Sequence, residues 1–531
     1  MTIQIDDYKD YTNTYLDTRG AISVASELTF TEAILTGIAS GGGLFVPRVL
    51  PRFSLDELEA LTSHTYAQLA AHVYRRFGTD LPSDTLATLM QRAYGTHFDH
   101  ELITPVRSMA PGIHVLELWH GPTSAFKDMA LQCLPLCFSA AIEQLRAAHN
   151  PLASEDFLIL VATSGDTGKA ALEGFADRDH TGIIVFYPDG GVSDIQFKQM
   201  ATQAGSNVGV FGVRGNFDHC QTAVKGAFGD EAFSATLLRE HGLRLSSANS
   251  INWGRLLPQV IYYLSAYLQL LARGEILLGE PVDVCVPTGN FGNILACWYA
   301  KECGVPIDRL LCASNDNRVL TDFLNTGTYD ISDRSFVLTP SPSMDILVSS
   351  NLERQLFELC GRDPQPIRTW MAQLRDERRF KVDAQTFAAL RAHFSADWVS
   401  ADESLDTIRE VYEAHSYLID PHTAVGWKVA ERLRSENPVI IAATAHWAKF
   451  GTDVYRALNH LPAGAELPNE VAALTGLELN GLIAKRYQAG AVPPRLASLD
   501  STPLRFTSVI DGNIGAIEQS VFDWLCLCHK Q

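Results

Sequence analysis

From Phe157 onward, continuous apolar runs recur between stretches of helical spacing: Phe157 to Ala162, Gly182 to Tyr187, Val208 to Val213, Val282 to Val286, Leu310 to Ala313 and Val439 to Ala443. Runs that are apolar at every position, as these are but for Asp283, belong to strands covered on both faces. Their alternation with helices predicts an α/β fold built on parallel sheet. Before Pro105 the pattern differs. Phe30 to Thr36 and Leu55 to Phe77 carry helical spacing, with the flexible Ser40-Gly41-Gly42-Gly43 between them, so residues 1–105 read as a mostly helical accessory domain. Residues 106–461 hold the sheet-forming pattern, in which about 351–410 is charged and helical and reads as an insertion or outer layer. Residues 462–531, with Pro462, Pro468, Pro493 and Pro494, read as a mixed C-terminal tail.

One helix breaks a local rule. In His120-Gly121-Pro122-Thr123-Ser124-Ala125-Phe126-Lys127-Asp128-Met129-Ala130-Leu131-Gln132, the Gly121-Pro122-Thr123 triplet is a turn. Ala130, Leu131, Leu134 and Phe138 then follow at helical spacing, which puts Lys127 in the first helical turn. The helix dipole is positive there and disfavours an ammonium. A lysine whose pKa is lowered, or whose nitrogen is held in a Schiff base, suits the position. The alternative is a lysine facing solvent. Pro135 should kink or interrupt this run.

The chain of 531 residues is 46% hydrophobic and 19% charged, which indicates a globular protein of two or three domains. Its net charge of −19 repels phosphates at long range, so neither nucleic acid nor an anionic membrane is expected as the main partner, and any phosphate site must be local. The ten cysteines form no framework and mostly lie in apolar segments, as reduced thiols in the cytoplasm do. Met1 to Asp7 is acidic and resembles neither a secretory signal nor a transit peptide. Val260 to Leu271 is too short for a membrane span and reads as a buried helix. Cys526-x-Cys528-His529 lacks a second cluster to complete a zinc site, and no metal is expected.

Three loops carry candidate chemistry. Val282 to Val286 runs into Pro287-Thr288-Gly289-Asn290-Phe291-Gly292-Asn293 and a helix, an arrangement whose backbone amides can cradle a phosphate. Its spacing is neither that of a dinucleotide site nor that of a P-loop, and a tight turn without ligand would look the same. Phe157 to Ala162 feeds Thr163-Ser164-Gly165-Asp166-Thr167-Gly168, whose amides and hydroxyls suit a carboxylate or a cofactor's face. A third strand ends at Thr444-Ala445-His446. All three loops leave the carboxyl ends of strands, where open α/β sheets hold ligands. No Gly-x-Ser-x-Gly elbow is present, so Ser164 is not a nucleophile. His114, His219 and His422 lack metal-ligand spacing and read as structural.

Taken together the motifs resemble threonine synthase in its longer form, a pyridoxal-phosphate enzyme of the tryptophan-synthase-β type (fold type II). Similar blocks, in order, are Tyr15 to Gly20, Gly37 to Pro47, His120 to Gln132, Thr163 to Gly168, Phe217-Asp218 with Cys220-Gln221, Ser247 to Gln259, Pro287 to Asn293, Thr339 to Ile346, Asp420 to Gly426 and Thr444 to Phe450.

The resemblance implies that Lys127 binds pyridoxal 5'-phosphate as an internal aldimine and later moves protons. Gly289, Asn290, Phe291, Gly292 and Asn293 would hold the cofactor phosphate, Thr444 would face its pyridine nitrogen, and Asp166 would lie near its ring oxygen. Ser164, Gly165, Asp166 and Thr167 would meet the substrate carboxylate. Asn249, Ser250, Asn252 and Arg255 would hold the phosphate of O-phospho-L-homoserine. It further implies a smaller mobile subdomain over about 155–245 and a monomer or homodimer. Trp447, His219 and Ser124 depart from the family's usual proline, aspartate and leucine. They leave open a threonine-synthase-like phospho-lyase releasing 2-oxobutyrate, phosphate and ammonia, and beyond that a non-catalytic ligand-binding protein.

Overall fold

A computed structural model describes residues 11–23 and 26–528. Met1 to Asp7 and His529 lie outside the described residues. The six apolar runs are all strands, but they divide between two sheets. The larger sheet runs in the order Phe394–Trp398, Ile307–Ser314, Val282–Pro287, Val439–Ala443, Ile113–Glu117 and Val106–Ala110, parallel throughout except for the last strand. The smaller sheet is wholly parallel, in the order Val509–Ile510, Val208–Val213, Thr181–Pro188, Asp156–Ala162 and Leu243–Ser246. Both are covered by helices, as burial of whole strands such as Thr181–Pro188 and Val282–Pro287 requires.

Several helices refine the sequence reading. Leu55 to Phe77 is two helices, Leu55–Leu61 and Tyr66–Arg76, because Thr65 caps the second with a reciprocal bond to Gln68. Lys127–Leu131 is a short helix, and the next, Leu134–Ala147, opens with Pro135 in its first turn, where a missing N–H costs nothing. Val260 to Leu271 lies within the buried helix Trp253–Ala272. Among the described residues no helix is long and apolar enough to cross a membrane.

The segment 351–410 is helical over Leu352–Leu359, Pro364–Glu377 and Ala384–His393, yet it also supplies Phe394–Trp398 to the edge of the larger sheet. The tail adds Val509–Ile510 to the smaller sheet, and its last helix, Ile514–Cys528, packs there with Trp524 Nε1 donating to the Val208 carbonyl at 3.0 Å. The N-terminal residues share a core with the sheet region: Trp253 meets the rings of Tyr15, Phe77 and Tyr299. All ten cysteines are free and seven are buried.

Candidate active site

Lys127 begins its helix and is buried, 9% exposed, so it does not face solvent. Its loop is tied to the Thr444 loop: the Phe126 amide donates to the Thr444 carbonyl at 2.8 Å, and the His446 amide to the Ser124 carbonyl at 3.1 Å. The amine donates to Ser343 Oγ at 3.2 Å and lies 3.6 Å from Asp166 Oδ2. Burial, helped by the charges of Lys449 and Arg255 and opposed by Asp166, lowers its pKa to about 8. The amine therefore loses its proton far more readily near neutral pH than an exposed lysine does, as a nucleophilic or proton-transferring lysine needs.

Asp166 starts the helix Asp166–Phe175 at the end of the strand Asp156–Ala162. Gln196 Nε2 donates to it at 2.8 Å, and Lys449 Nζ lies 2.7 Å away. Burial alone would raise this carboxyl, but the Lys449 and Lys127 ammoniums hold it well below the usual carboxylate range. Ser164 and Thr167 beside it are partly exposed.

The glycine turn follows the strand Val282–Pro287 and opens the helix Gly292–Glu302. Phe291 takes a left-handed conformation, φ 62°, and the first-turn amides have no helical acceptors, so they are available to an anion. The turn is anchored from outside: the Gly289 carbonyl accepts from Ser349 Oγ at 2.9 Å and the Asn290 carbonyl from the Asn351 amide at 3.0 Å. Asn293 accepts from the Tyr263 hydroxyl at 2.6 Å, while its Nδ2 is buried without a partner. Gly289 lies so close to Ser343 that a Cβ there would stand 2.8 Å from the Ser343 carbonyl oxygen. One residue, Ser343, thus touches both the lysine and the glycine turn.

The block Asn249 to Arg255 flanks that turn. Ser250 Oγ is 3.3 Å from Ser350 Oγ, whose hydroxyl donates to Asn290 Oδ1 at 3.2 Å. Arg255 is buried, its Nη1 donating to the Ala248 carbonyl at 2.8 Å and its Nε left without a partner. Among the described residues no carboxylate pairs with it, and burial lowers its pKa to about 10. A buried, uncompensated guanidinium is a site for an anion. Asn252 differs from this group. Its Oδ1 accepts from the Gly254 amide at 2.9 Å and its Nδ2 donates to the Ile34 carbonyl at 2.8 Å, so it caps the helix Trp253–Ala272 and fastens it to the N-terminal helix Phe30–Thr36. The Asn249 side chain has no hydrogen bond among those of the described residues.

Three residues near the lysine were not singled out from sequence: Ser343, Lys449 and Gln196. His422 Nε2 accepts from the Ser343 amide at 3.1 Å and its Nδ1 is 2.7 Å from Asp420, so it is structural, as expected, but in support of the site. Lys449 follows a buried strand and lies between the buried Ala448 and Phe450. His114 lies 3.1 Å from Ser108 Oγ, and His219 takes part in a helix cap with Asn216. Among the described residues no cluster could hold a metal ion.

Residues 14–94 match the family Threonine synthase N terminus, and residues 423–488 match Threonine synthase, C-terminal. Threonine synthase from Schizosaccharomyces pombe is 38% identical over 472 residues, 84% of this chain and 89% of that protein. The Homo sapiens protein Threonine synthase-like 1 is 45% identical over 438 residues, 81% of this chain, and the chain spans only 58% of that protein's length. Among solved structures, PLP-bound threonine synthase from Brucella melitensis superposes with a TM-score of 0.82 at 37% identity, covering 96% of this chain and 99% of that one. Yeast threonine synthase gives 0.83 at 32% identity, covering 98% and 99%. Likeness of this extent, in sequence and in fold alike, is kinship, and the chain belongs to the threonine synthase family of pyridoxal-phosphate enzymes.

Proposed function

We propose that the protein converts O-phospho-L-homoserine and water to L-threonine and phosphate. The observation that carries this reading is Arg255, a buried cation that pairs with no carboxylate among the described residues, beside an amine-bearing loop and the free amides of the glycine turn. A substrate that brings its own phosphate to a cofactor that has another needs two such places.

The residues present fit pyridoxal phosphate. Lys127 offers a buried amine with its pKa near 8, and the amides of Gly289 to Asn293 offer the phosphate cradle. Bound there, the cofactor supplies an electron sink for negative charge at the substrate α carbon. Lys127 takes the proton from that carbon and serves the neighbouring carbons in turn. Thr444 would hold the pyridine nitrogen through a hydroxyl, which could not keep a proton there as a carboxylate would. The first turn of Asp166–Phe175, with Ser164, Gly165 and Thr167, receives the substrate carboxylate. Arg255, with Ser250 and Asn249, holds the γ-phosphate, and its charge stabilises the phosphate as the C–O bond breaks and the electron pair leaves with oxygen. Asn252 acts from behind, by fixing the start of the helix that carries Arg255. Closing of the smaller sheet region, about 155–245, keeps bulk water out until hydration at the β carbon.

A second reading is favoured by the 45% identity to the human Threonine synthase-like 1 protein: phosphate is eliminated but hydration is not completed, and 2-oxobutyrate and ammonia are released. The two part at the position of one water against the β carbon. Incubation of the purified chain with O-phospho-L-homoserine, measuring phosphate, threonine and 2-oxobutyrate together, tests both. Threonine equal to phosphate supports the first reading, and 2-oxobutyrate equal to phosphate the second. No phosphate release, with the imine absorbance present, would leave only a ligand-binding role.

A further inference from the structure

Lys449 is the most completely buried ammonium near the site, its side chain 0% exposed, and nothing in the reaction as described requires it. It sits in the short helix Trp447–Phe450, beyond the strand Val439–Ala443 of the larger sheet. Its nitrogen is 2.7 Å from Asp166 Oδ1 and donates to the Thr123 carbonyl at 2.9 Å. Two other contacts hold its backbone. Ser193 Oγ donates to the Lys449 carbonyl at 3.2 Å, and Asn480 Nδ2 donates to the neighbouring Ala448 carbonyl at 2.6 Å.

Lys127 approaches the same carboxylate by its other oxygen and from farther away, 3.6 Å. The charged groups facing the lysine amine are Asp166, Lys449 and Arg255; those facing Asp166 are the two lysines, with Gln196 and Ser343 as neutral donors. Beneath Lys449, Asp128 is taken up by the Thr123 amide and hydroxyl at 2.8 and 2.7 Å. One buried carboxylate is thus shared by two lysines, and the pair with Lys449 is the shorter.

We propose that Lys449 is a positioning residue that occupies the Asp166 carboxylate and so releases Lys127 as a free amine able to capture the cofactor aldehyde. The inference rests on the reading of Lys127 as the cofactor lysine. In capture the amine nitrogen forms a bond to the aldehyde carbon and the carbonyl oxygen leaves as water, and the nitrogen must first have given up its third proton. A carboxylate with no other cation would keep that proton on Lys127. Lys449 removes this hold while its own charge repels a proton from Lys127.

The test uses the full chain, stripped of aldehyde with hydroxylamine. Pyridoxal phosphate is then added back between about pH 6 and 9 while imine absorbance is followed. Lys449→Met is expected to move the pH midpoint of capture up by about one unit and to slow capture roughly tenfold near pH 7. Lys449→Gln, which keeps a donor for the Thr123 carbonyl, gives the same shift should the Met variant fold poorly. Lys449→Arg retains the wild-type midpoint. The double variant Lys449→Met with Asp166→Asn returns toward it, because the carboxylate that held the proton has gone. A merely structural lysine gives neither the alkaline shift nor the rescue. An unchanged midpoint in folded Lys449→Met or Lys449→Gln protein, or a double variant as slow as the single, overturns the proposal. A wild-type chain that forms no imine at all overturns instead the reading on which it rests.

Discussion

At the scale of single residues, the site is a set of buried charges whose imbalance prepares them for ligands. Among the described residues Arg255 pairs with no carboxylate and its Nε is unsatisfied, so on the proposed reading the substrate phosphate meets a desolvated cation. Arg255→Gln is expected to raise KM for O-phospho-L-homoserine about thirtyfold or more, the equivalent of ~2 kcal/mol, while cofactor absorbance is retained. Steady-state kinetics with parallel spectra checks this, and an unchanged KM would remove Arg255 from the phosphate site. His446 supplies a pH prediction. Burial lowers its pKa from 6.5 to about 4, and its Nδ1 accepts from the Ala448 amide at 3.1 Å. The unfolded chain therefore binds the proton first as pH falls below 6.5, so this residue's stabilising contribution is present above 6.5 and is lost down to about 4. His446→Gln should flatten that acid loss, worth up to ~3 kcal/mol, in melting temperatures recorded against pH. An equally steep loss in the variant would contradict it. Lys127 was legible in sequence because it broke a helix rule, and Arg255 because its polar neighbourhood suited an anion. Asn252 sat in the same polar run, and nothing in its spacing separates a phosphate donor from a helix cap. The Ile34 carbonyl that its Nδ2 meets comes from another helix, beyond the reach of local spacing.

Among the elements, the decisive contact is between the two helices that carry Lys127 and Asp166. Gly174, in the helix Asp166–Phe175, lies against the end of Lys127–Leu131, where a Cβ would stand 1.9 Å from the Leu131 carbonyl oxygen. That oxygen belongs to backbone and cannot turn aside. Gly174→Ala is thus expected to destabilise the protein by ~2–3 kcal/mol and to weaken the imine absorbance by moving Asp166 away from Lys127. Thermal unfolding and absorbance on the same sample check both, and an unchanged melting temperature would show that the helices are not held by this contact. The strands were legible because each is apolar at every position, apart from Asp283 in Val282 to Val286. Their division between two sheets was not, since all six runs have the same pattern and parallel pairing leaves no local mark. Likewise the break between Leu131 and Leu134 could be anticipated from Pro135. The break near Thr65 depended on a cap that uniform helical spacing concealed.

For the molecule as a whole, chain order is a poor guide to what stands together. The segment read as a mixed tail completes the smaller sheet with Val509–Ile510, and the segment read as an insertion or outer layer supplies the edge strand Phe394–Trp398 to the larger one. The N-terminal residues reach the site as well. Arg354 donates from its Nε to the Phe45 carbonyl at 2.9 Å and from its other nitrogens to Asn351 and Ile251, which stand beside the glycine turn and the Arg255 block. The contacts to Phe45 and Ile251 join residues more than a hundred positions apart, and no local pattern of apolar and polar positions contains them. Lys449 escaped notice for the same reason, because its meaning depends on Asp166 from the other sheet. The arrangement converges on one amine, with the glycine turn one residue's width away across Ser343. Its most direct test is chemical trapping: the chain loaded with pyridoxal phosphate is reduced with borohydride, digested, and searched by mass for the pyridoxyl group. A single label on Lys127, absent from Lys127→Ala, is the predicted result. A label on another lysine, or a Lys127→Ala protein that still traps the group, would contradict the account.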